Sequence, residues 1–299
     1  MMISTLPPPL GTNATLDQST PCAPIRVLVV EDDALNRSIV CRLLLQGKFE
    51  PVTAVDGAQA LSLVSRLPFD VILMDWQMPD MDGLECTRQM RAGRGGAQGL
   101  TVPIIALTAN AHAEDRAACL AAGMDDFLAK PVQRDLLNAA VANWARRTRT
   151  PDQALATAPA RAHRLATPPP GADEFLAAYD PAVLPELLGT DATDTALENQ
   201  VLAAFIQSWP ATLEAIERAI AANDAAAVRL QAHTLKSTAA TIGALEIANE
   251  ATRQDASLKA GCPVADNLVA TLHTLFERFD AALTRHRHDL KQEKNRYRG

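Results

Sequence analysis

The sequence predicts two domains of different class: a doubly wound α/β domain with a five-stranded parallel sheet, then an all-α antiparallel helix bundle. From residue 25 to residue 147, short β-branched apolar runs alternate with stretches of helical spacing, as in a parallel sheet covered on both faces. After residue 172 the strand patterns stop, and long amphipathic stretches with short connections follow. Proline-rich segments at 1–24 and 148–172 predict a disordered leader and a linker.

The α/β region contains three clear strands and two weaker ones, and continuous apolar runs of this kind are typical of strands buried on both faces. The clear strands are Ile25–Val30, Val71–Met74 and Pro103–Leu107, and the weaker ones are Val52–Ala54 and Asp126–Ala129. The helices predicted around them are Leu35–Gln46, Ala58–Arg66, Leu84–Arg91, Glu114–Ala122 and Gln133–Arg146.

The second region, residues 173–290, is predicted to contain helices alone, followed by a basic tail at 291–299. Gly243, and Gly261 with Pro263, punctuate the pattern. The predicted helices are Leu197–Trp209, Ala211–Ala222, Ala225–Ile242, Leu245–Ala260 and Val264–His286.

The bulk composition excludes several classes of protein. The chain has 299 residues with a formal net charge of -7 and a pI near 5.4, which argues against nucleic-acid binding because phosphate contacts dominate that affinity. Its five cysteines contain no CxxC pair, so neither a disulfide framework nor a zinc site is expected. The sequence shows no secretory signal and no apolar run of membrane-spanning length. We therefore expect a cytoplasmic protein without membrane insertion.

Acidic and polar side chains follow the predicted strands where their carboxyl ends meet at one edge of the sheet. Glu31 and Asp32 follow the first strand, Asp75 the third, Thr108 the fourth and Lys130 the fifth. Three carboxylates need a counter-charge to stay ionised together. Mg²⁺, a hard cation that prefers oxygen ligands, is expected to supply it. A metal there also makes the central carboxylate, Asp75, a feasible nucleophile towards a phosphoryl group.

Four segments in this order and spacing resemble the receiver domain of response regulators. They are Val27–Asp32 (VLVVED) followed by Asn36-Arg37, Asp70–Gly83 (DVILMDWQMPDMDG), Ile104–Ala109 (IIALTA) and Phe127–Pro131 (FLAKP). The resemblance runs from about Ile25 to Arg147 and implies that Asp75 accepts a phosphoryl group.

The same resemblance implies a metal site. Asp32 would bind Mg²⁺ directly together with Asp75, Glu31 would support it, and Gln77 would offer its backbone carbonyl. Glu31 stands where these domains often have aspartate, a change expected to alter the metal geometry only slightly.

The resemblance also implies three residues around the phosphoryl group itself. Thr108 would hydrogen-bond a phosphoryl oxygen and Lys130 would form an ion pair with the group. Phe127 would be the aromatic side chain that changes rotamer together with Thr108.

His233 is the candidate functional residue of the helical region. On a helix its neighbours on the same face are Arg229, Leu230, Lys236 and Ser237, so it is predicted to project to solvent between two cations. Neutral imidazole is a competent nucleophile near physiological pH, and the cations would attract an acidic, phosphorylated partner.

The segment Ala232–Ala244 (AHTLKSTAATIGA) resembles the phosphotransfer-histidine motif of the Hpt family. Phe205–Asp224 resembles the preceding helix of that family and Asp180–Leu188 its short N-terminal helix, so the resemblance covers about residues 174–288. It implies that His233 carries a phosphoryl group and that Arg229, Lys236 and Ser237 contact a docking receiver.

Together the two resemblances imply a phosphorelay protein rather than an enzyme. A sensor histidine kinase would phosphorylate Asp75, and His233 would relay phosphate to or from the receiver of a downstream response regulator. The chain has no glycine-rich ATP-binding segment that would make it a kinase. Two alternatives stay open: an aspartate-nucleophile phosphohydrolase, although its usual DxD signature fails at Gln77, and a scaffold that binds partners without being phosphorylated.

The predicted linker also suggests exchange of phosphate within one molecule. A flexible segment of roughly 25 residues spans about 25–30 Å root-mean-square, which is comparable to the size of either domain. We therefore hypothesise that His233 reaches the Asp75 pocket of its own chain, with Arg229 and Lys236 guiding it.

Overall fold

The computed structural model describes residues 23–109, 113–149, 178–189 and 195–296. Most of the predicted leader and linker lie outside these ranges. The described part contains a sheet domain followed by a helix bundle, so the predicted fold class is confirmed.

All five strands of the sheet are parallel, in the spatial order β2-β1-β3-β4-β5. Every residue of β3 and β4 is buried, as expected for strands covered by helices on both faces. The strands are β1 Arg26–Val30, β2 Glu50–Ala54, β3 Val71–Asp75, β4 Ile104–Thr108 and β5 Asp126–Ala129.

Aspartate caps fix where three of the sheet domain's helices begin. The side chains of Asp33, Asp56 and Asp82 each accept a hydrogen bond from the backbone N–H three residues further on, which satisfies an otherwise unpaired amide. A short helix of four residues, α4, follows α3. The helices are α1 Ala34–Gln46, α2 Gly57–Val64, α3 Gly83–Arg91, α4 Gly96–Gly99, α5 Ala113–Ala122 and α6 Arg134–Arg149.

The bundle differs from the prediction in two of its helices. The segments predicted on either side of Pro210 form one continuous helix, and the last helix continues through most of the predicted basic tail. The helices are α7 Val183–Leu188, α8 Thr195–Ala221, α9 Ala225–Thr241, α10 Leu245–Lys259 and α11 Leu268–Arg296.

Aromatic packing explains why α8 continues through Pro210. A proline inside a helix removes one backbone hydrogen bond and costs about 3 kcal/mol. The preceding residue, Trp209, stacks on Phe276 of α11 with ring centroids 4.5 Å apart. Phe205, one turn earlier, contacts both of these rings. This cluster holds the helix against α11 at the proline, so the chain stays helical.

Helix α1 of the sheet domain packs on the bundle, where it contacts α8 and α9. Leu35 and Ile39 of α1 line a cavity of about 160 Å³ together with Leu188 of α7 and Val201 of α8. These residues belong to one continuous apolar core that extends from the sheet into the bundle. The side-chain amide of Asn36 lies at the edge of this contact and donates a hydrogen bond of 3.3 Å to Thr238 Oγ1 of α9.

None of the helices in the described ranges is both long and apolar enough to cross a lipid bilayer.

Candidate functional site

Three carboxylates meet at the carboxyl edge of the sheet, as predicted. Asp75 is the last residue of β3 and is 3% exposed, whereas Glu31 and Asp32 directly follow β1. One oxygen atom from each of the three side chains lies within 4.8 Å of the other two. Such a cluster is a high local concentration of negative charge in a largely water-excluded pocket.

Lys130 supplies part of the counter-charge from the end of β5. Its Nζ lies 2.6 Å from Glu31 Oε2 and 2.9 Å from Asp75 Oδ2. Burial alone would lower the pKa of this ammonium group, but attraction by Asp75 and Glu31 outweighs burial and raises the pKa above its usual value. Lys130 therefore stays positively charged and touches the carboxylate predicted to be the nucleophile.

The single positive charge of Lys130 does not neutralise the three carboxylates. Burial, and then repulsion by Asp75, raise the pKa of Glu31 well above its usual value. The same two causes raise the pKa of Asp32 to about 6. Carboxylate oxygens that repel one another in a buried pocket are a donor set suited to a hard divalent cation. The residues present therefore fit Mg²⁺.

Two further predicted residues lie beside this cluster. Thr108 ends β4, is buried, and is adjacent in that strand to Leu107, the register partner of Asp75. Phe127 lies in β5, half-buried, with the Arg116 guanidinium 5.6 Å from its ring centroid.

Gln77 follows Asp75 in the loop after β3. Its backbone N–H lies 3.4 Å from Asp75 Oδ1. Its carbonyl as a metal ligand, and the exchange of Phe127 rotamers, remain predictions.

The sequence analysis gave no role to two residues that shape the pocket. Arg37 Nη1 donates hydrogen bonds to the carbonyl oxygens of Glu31 and Asp32, at 2.6 and 3.0 Å, and so fixes the turn that carries both acids. Gly83 lies so close to β3 that a Cβ atom there would overlap with the carbonyl oxygen of Asp75. Their position within the matching segments was a signal, but their function depends on backbone contacts that a motif does not display.

His233 is buried, so the prediction that it projects to solvent is wrong. It is 7% exposed, and Ser237 and Thr238, one turn further along α9, meet residues of the sheet domain. Its Nδ1 atom lies 3.2 Å from Oδ2 of Asp255 on α10.

Asp255 was missed by the sequence analysis. Burial would raise the pKa of this carboxyl, but the His233 hydrogen bond and the nearby Lys236 and Arg229 cations lower it below its usual value. The Arg229 guanidinium lies 3.8 Å from Asp255 Oδ1. The ionised carboxylate favours a proton on Nδ1 of His233, which leaves the lone pair of Nε2 available as a nucleophile.

The face of α9 that carries His233 borders the acidic pocket on both sides. Arg229, His233 and Ser237 are four residues apart and therefore share one helix face. Arg229 lines a cleft of about 560 Å³ with Gln77 of the loop after β3. Ser237 lines a smaller cavity with Lys130. His233 lies between Arg229 and Ser237 on α9, so it belongs to the helix face that meets Lys130 on one side and the loop after Asp75 on the other.

Comparison with known proteins identifies both halves of the chain. A family model for the response regulator receiver domain matches residues 27–142, and one for the Hpt domain matches residues 200–284. Both matches lie within the predicted domains 25–147 and 173–290.

Curated relatives include two bacterial sensor histidine kinases. GacS of Pseudomonas protegens is 33% identical over 238 residues, which is 78% of this chain and 24% of that protein. RcsC of Salmonella typhimurium is 40% identical over 123 residues, which is 41% of this chain and 12% of that protein. The chain thus spans about a quarter or less of the length of these relatives.

A solved structure of similar sequence is the receiver domain of the sensor histidine kinase PA1611 from Pseudomonas aeruginosa, which has a magnesium ion in its active-site cleft. It is 40% identical and covers 42% of this chain and 99% of that chain, with a TM-score of 0.39. The family matches coincide with the acidic pocket on one side and His233 on the other. The chain therefore joins a response regulator receiver domain to an Hpt domain.

Proposed function

We propose that the protein is a phosphorelay module in which Asp75 accepts a phosphoryl group from a sensor histidine kinase and His233 relays phosphate to or from a receiver aspartate. The observation that carries this proposal is the shared geometry of the two sites. The receiver that contains the buried Asp75–Lys130 pair meets the helix face that carries His233 within a single molecule, where Ser237 lines a cavity with Lys130 and Arg229 lines a cleft with Gln77. We place this protein in the cytoplasm, with a downstream response regulator as its second partner.

The first step is an in-line displacement at phosphorus. An oxygen of Asp75 forms the new P–O bond, while the P–N bond to the histidine of the kinase breaks and the nitrogen keeps its electron pair. Lys130 pairs with the transferred oxygens, and Thr108 donates a hydrogen bond to one of them. Glu31, Asp32 and Asp75 would hold Mg²⁺, which when bound neutralises charge on the phosphoryl oxygens.

The second step moves the phosphoryl group from Asp75 to His233. Nε2 of His233 forms a P–N bond while the P–O bond of the acyl phosphate breaks, which returns Asp75 to a carboxylate. The imidazole gains positive charge as the bond forms. Asp255 accepts the Nδ1–H hydrogen bond throughout and stabilises that charge, in the manner of a carboxylate that orients a catalytic histidine.

Exchange within one molecule is part of this proposal. The contacts of Arg229 and Ser237 with the receiver side of the pocket support it, as does the tether between the domains. A linker of this length gives an effective concentration on the order of millimolar. Docking between the two domains therefore does not have to be tight.

The alternative functions have weaker support. A phosphohydrolase of the aspartate-nucleophile class needs a second acid where this chain has Gln77. A scaffold without phosphorylation has no need of the Lys130 contacts with Glu31 and Asp75. Neither matched family is a kinase domain, so we assign the chain a transfer role without ATP hydrolysis.

The chemical stability of the label tests the assignment. Wild type, Asp75→Asn and His233→Ala are incubated with acetyl phosphate and Mg²⁺, and intact mass is measured after acid or base treatment. We expect base-labile acyl phosphate alone on His233→Ala, an added acid-labile phosphohistidine on wild type, and no label on Asp75→Asn. Equal labelling of Asp75→Asn and wild type at another receiver residue would contradict the role of Asp75.

Dilution tests the intramolecular route. Protein labelled at Asp75 is diluted, and the appearance of acid-labile label on His233 is followed. We expect a first-order rate that does not depend on protein concentration. A rate that falls in proportion to concentration would show that transfer occurs between molecules.

A further inference from the structure

We propose that one face of the Hpt bundle serves two partners in turn, the chain's own receiver and an external receiver, and that helix α1 decides between them. We call this surface the docking face and define it by Leu188, Val201, His233, Ser237 and Thr238. The inference rests on the proposed function. It adds that phosphate leaves the molecule only after α1 has released the docking face.

In the structure the chain's own receiver covers the docking face, and we call this arrangement closed; in an open molecule the receiver has left the face. His233, Ser237 and Thr238 are each less than a tenth exposed. Ser237 borders a cavity whose other walls include Lys130 and Pro131 of the receiver. A second protein therefore has no route to His233 while the chain's own receiver is docked.

Helix α1 makes the central contact. Its apolar stripe is wide enough to contact both the receiver core and the bundle. Leu43 and Leu44 are fully buried in the receiver core, whereas Leu35 and Ile39 face the bundle. Ile39 is 4% exposed, although on a receiver standing alone the bundle side of this helix would meet water. The Asn36–Thr238 hydrogen bond fixes the helix beside His233.

The same geometry specifies the external partner as another receiver that presents an apolar α1. Helix α1 begins directly after the acids of β1, so its position relative to the acidic pocket is set by the fold. A receiver that brings its aspartate to His233 must therefore lay its own α1 on the docking face. Two such helices cannot occupy the face together, and binding of one excludes the other.

The tethered receiver has the advantage in this competition. An external receiver binds only the open fraction of molecules, so its apparent affinity is reduced by that fraction. A change that loosens the chain's own α1 should increase delivery to an outside receiver. The same change in α1 of the outside receiver should not increase delivery of phosphate to it.

A mixture of two differently substituted copies of the chain tests this asymmetry. The donor copy carries Asp75→Asn and is phosphorylated at His233 with phosphoramidate; the acceptor copy carries His233→Ala and a size tag. Base-labile label on the acceptor measures transfer between molecules. The informative variant is Ile39→Asp, and the matched control is Leu45→Asp on the same helix, where Leu45 is 57% exposed.

We expect Ile39→Asp in the donor to increase transfer on the order of tenfold, in proportion to the open fraction. In the acceptor, Ile39→Asp should give no increase in transfer, because it weakens docking of that receiver on the donor's bundle as much as on its own. Leu45→Asp should leave the rate unchanged in either copy. Asn36→Ala, which keeps the apolar face of α1 intact, should act in the same direction as Ile39→Asp but less strongly, so the test does not depend on one variant.

Unchanged transfer from both the Ile39→Asp and the Asn36→Ala donors would overturn the inference, as would an equal increase when Ile39→Asp is in the acceptor. Transfer from no donor to any acceptor would instead contradict the proposed function, and this inference with it.

Discussion

Asp255 changes how His233 has to be understood. A histidine that projects to solvent between cations waits for a partner with its ring free to rotate and with either nitrogen protonated. In the structure, the carboxylate of Asp255 fixes both the ring and the position of the proton. The pair is therefore prepared for attack by Nε2 before a phosphoryl group arrives.

We expect Asp255→Ala to slow phosphate transfer to His233 by about tenfold to a hundredfold, as observed for partners of metal-bound histidines. Asp255→Asn should have a smaller effect, because its carbonyl can still accept the Nδ1–H bond. Imidazole ¹⁵N chemical shifts should show the tautomers mixing in the alanine variant. Asp280→Asn on the exposed face of α11 is the control, and an equal loss there would argue for a general effect on the fold.

A second expectation at this scale concerns Asp32, whose pKa is raised by burial and by Asp75 to about 6. The unfolded chain has its ordinary value near 3.9. The folded, metal-free receiver therefore binds more protons, and it loses stability as pH rises through about 6. We expect the melting temperature without metal to be lower at pH 7.5 than at pH 5, by on the order of a few degrees.

Mg²⁺ should remove that loss at pH 7.5, because it offsets the repulsion between the carboxylates. Asp32→Asn should raise the metal-free melting temperature and abolish the response to Mg²⁺. Thermal unfolding by circular dichroism measures both. A metal-free melting temperature that is the same at the two pH values would contradict the charge balance described for the pocket.

The sequence predicted the acidic pocket because its members follow strands, and the ends of parallel strands converge. No comparable rule predicts Asp255, because it lies 22 residues from His233 and on another helix. One signal was present: Asp255 follows Ala248 and Ala251 at the spacing of a buried helix face. An acid on such a face needs a partner, and the search for one would have led to α9.

At the level of secondary structure, the turn from β3 into α3 holds the nucleophile in place. Gly83 is the first residue of α3, and its N–H donates to the carbonyl of Trp76. A side chain at Gly83 would overlap with the backbone at Asp75. The close return of the chain therefore depends on the missing Cβ.

We expect Gly83→Ala to shift Asp75 and to reduce labelling by acetyl phosphate roughly tenfold or more, since small misplacements at a reacting centre are costly. Gly57→Ala is a matched control, because Gly57 also begins a helix after an aspartate cap and its Cβ would meet mainly the flexible side chain of Met81. The two variants are compared by initial labelling rate and by melting temperature. Similar losses in both would contradict a specific role for Gly83.

Helix boundaries show where local sequence rules fail at this scale. Pro210 predicts a break, yet stacking of Trp209 on Phe276 keeps α8 continuous. That contact joins residues far apart in the sequence, so no local pattern contains it. The strands, by contrast, follow from local apolar runs and were predicted to within one or two residues.

At the scale of the whole molecule, the contact of α1 with the bundle is largely apolar, and hydrogen bonds to neutral acceptors cross between the domains, from Asn36 to Thr238 and from Arg134 to Gly189. Salt screens exposed charges but has little effect on apolar contact. We therefore expect the rate of transfer from Asp75 to His233 within one molecule to change less than about twofold between about 0.05 M and about 0.5 M salt. Quenched-flow labelling at several salt concentrations measures this.

A steep fall of that rate with salt would favour the initial hypothesis, in which Arg229 and Lys236 guide the pocket onto His233. The length of the linker suggested that the two domains meet, but the sequence did not predict which surfaces do so. One indication of those surfaces is the width of the apolar stripe on α1, where Leu35 and Ile39 add to the residues that the receiver core needs. That excess indicates that α1 contacts a second partner, but it does not identify the face of the bundle that it covers.

Arg149, the last residue of α6, holds together the two points at which the chain enters and leaves the receiver. Its guanidinium binds the side chain of Asp70, just before β3, and the carbonyl oxygens of Ala23 and Pro24, just before β1. The chain thus enters and leaves the receiver side by side, at the end of the strands opposite Asp75. A receiver with both connections at one end is modular, because the segments before and after it can be replaced without moving the chain across the edge of the sheet that carries Asp75.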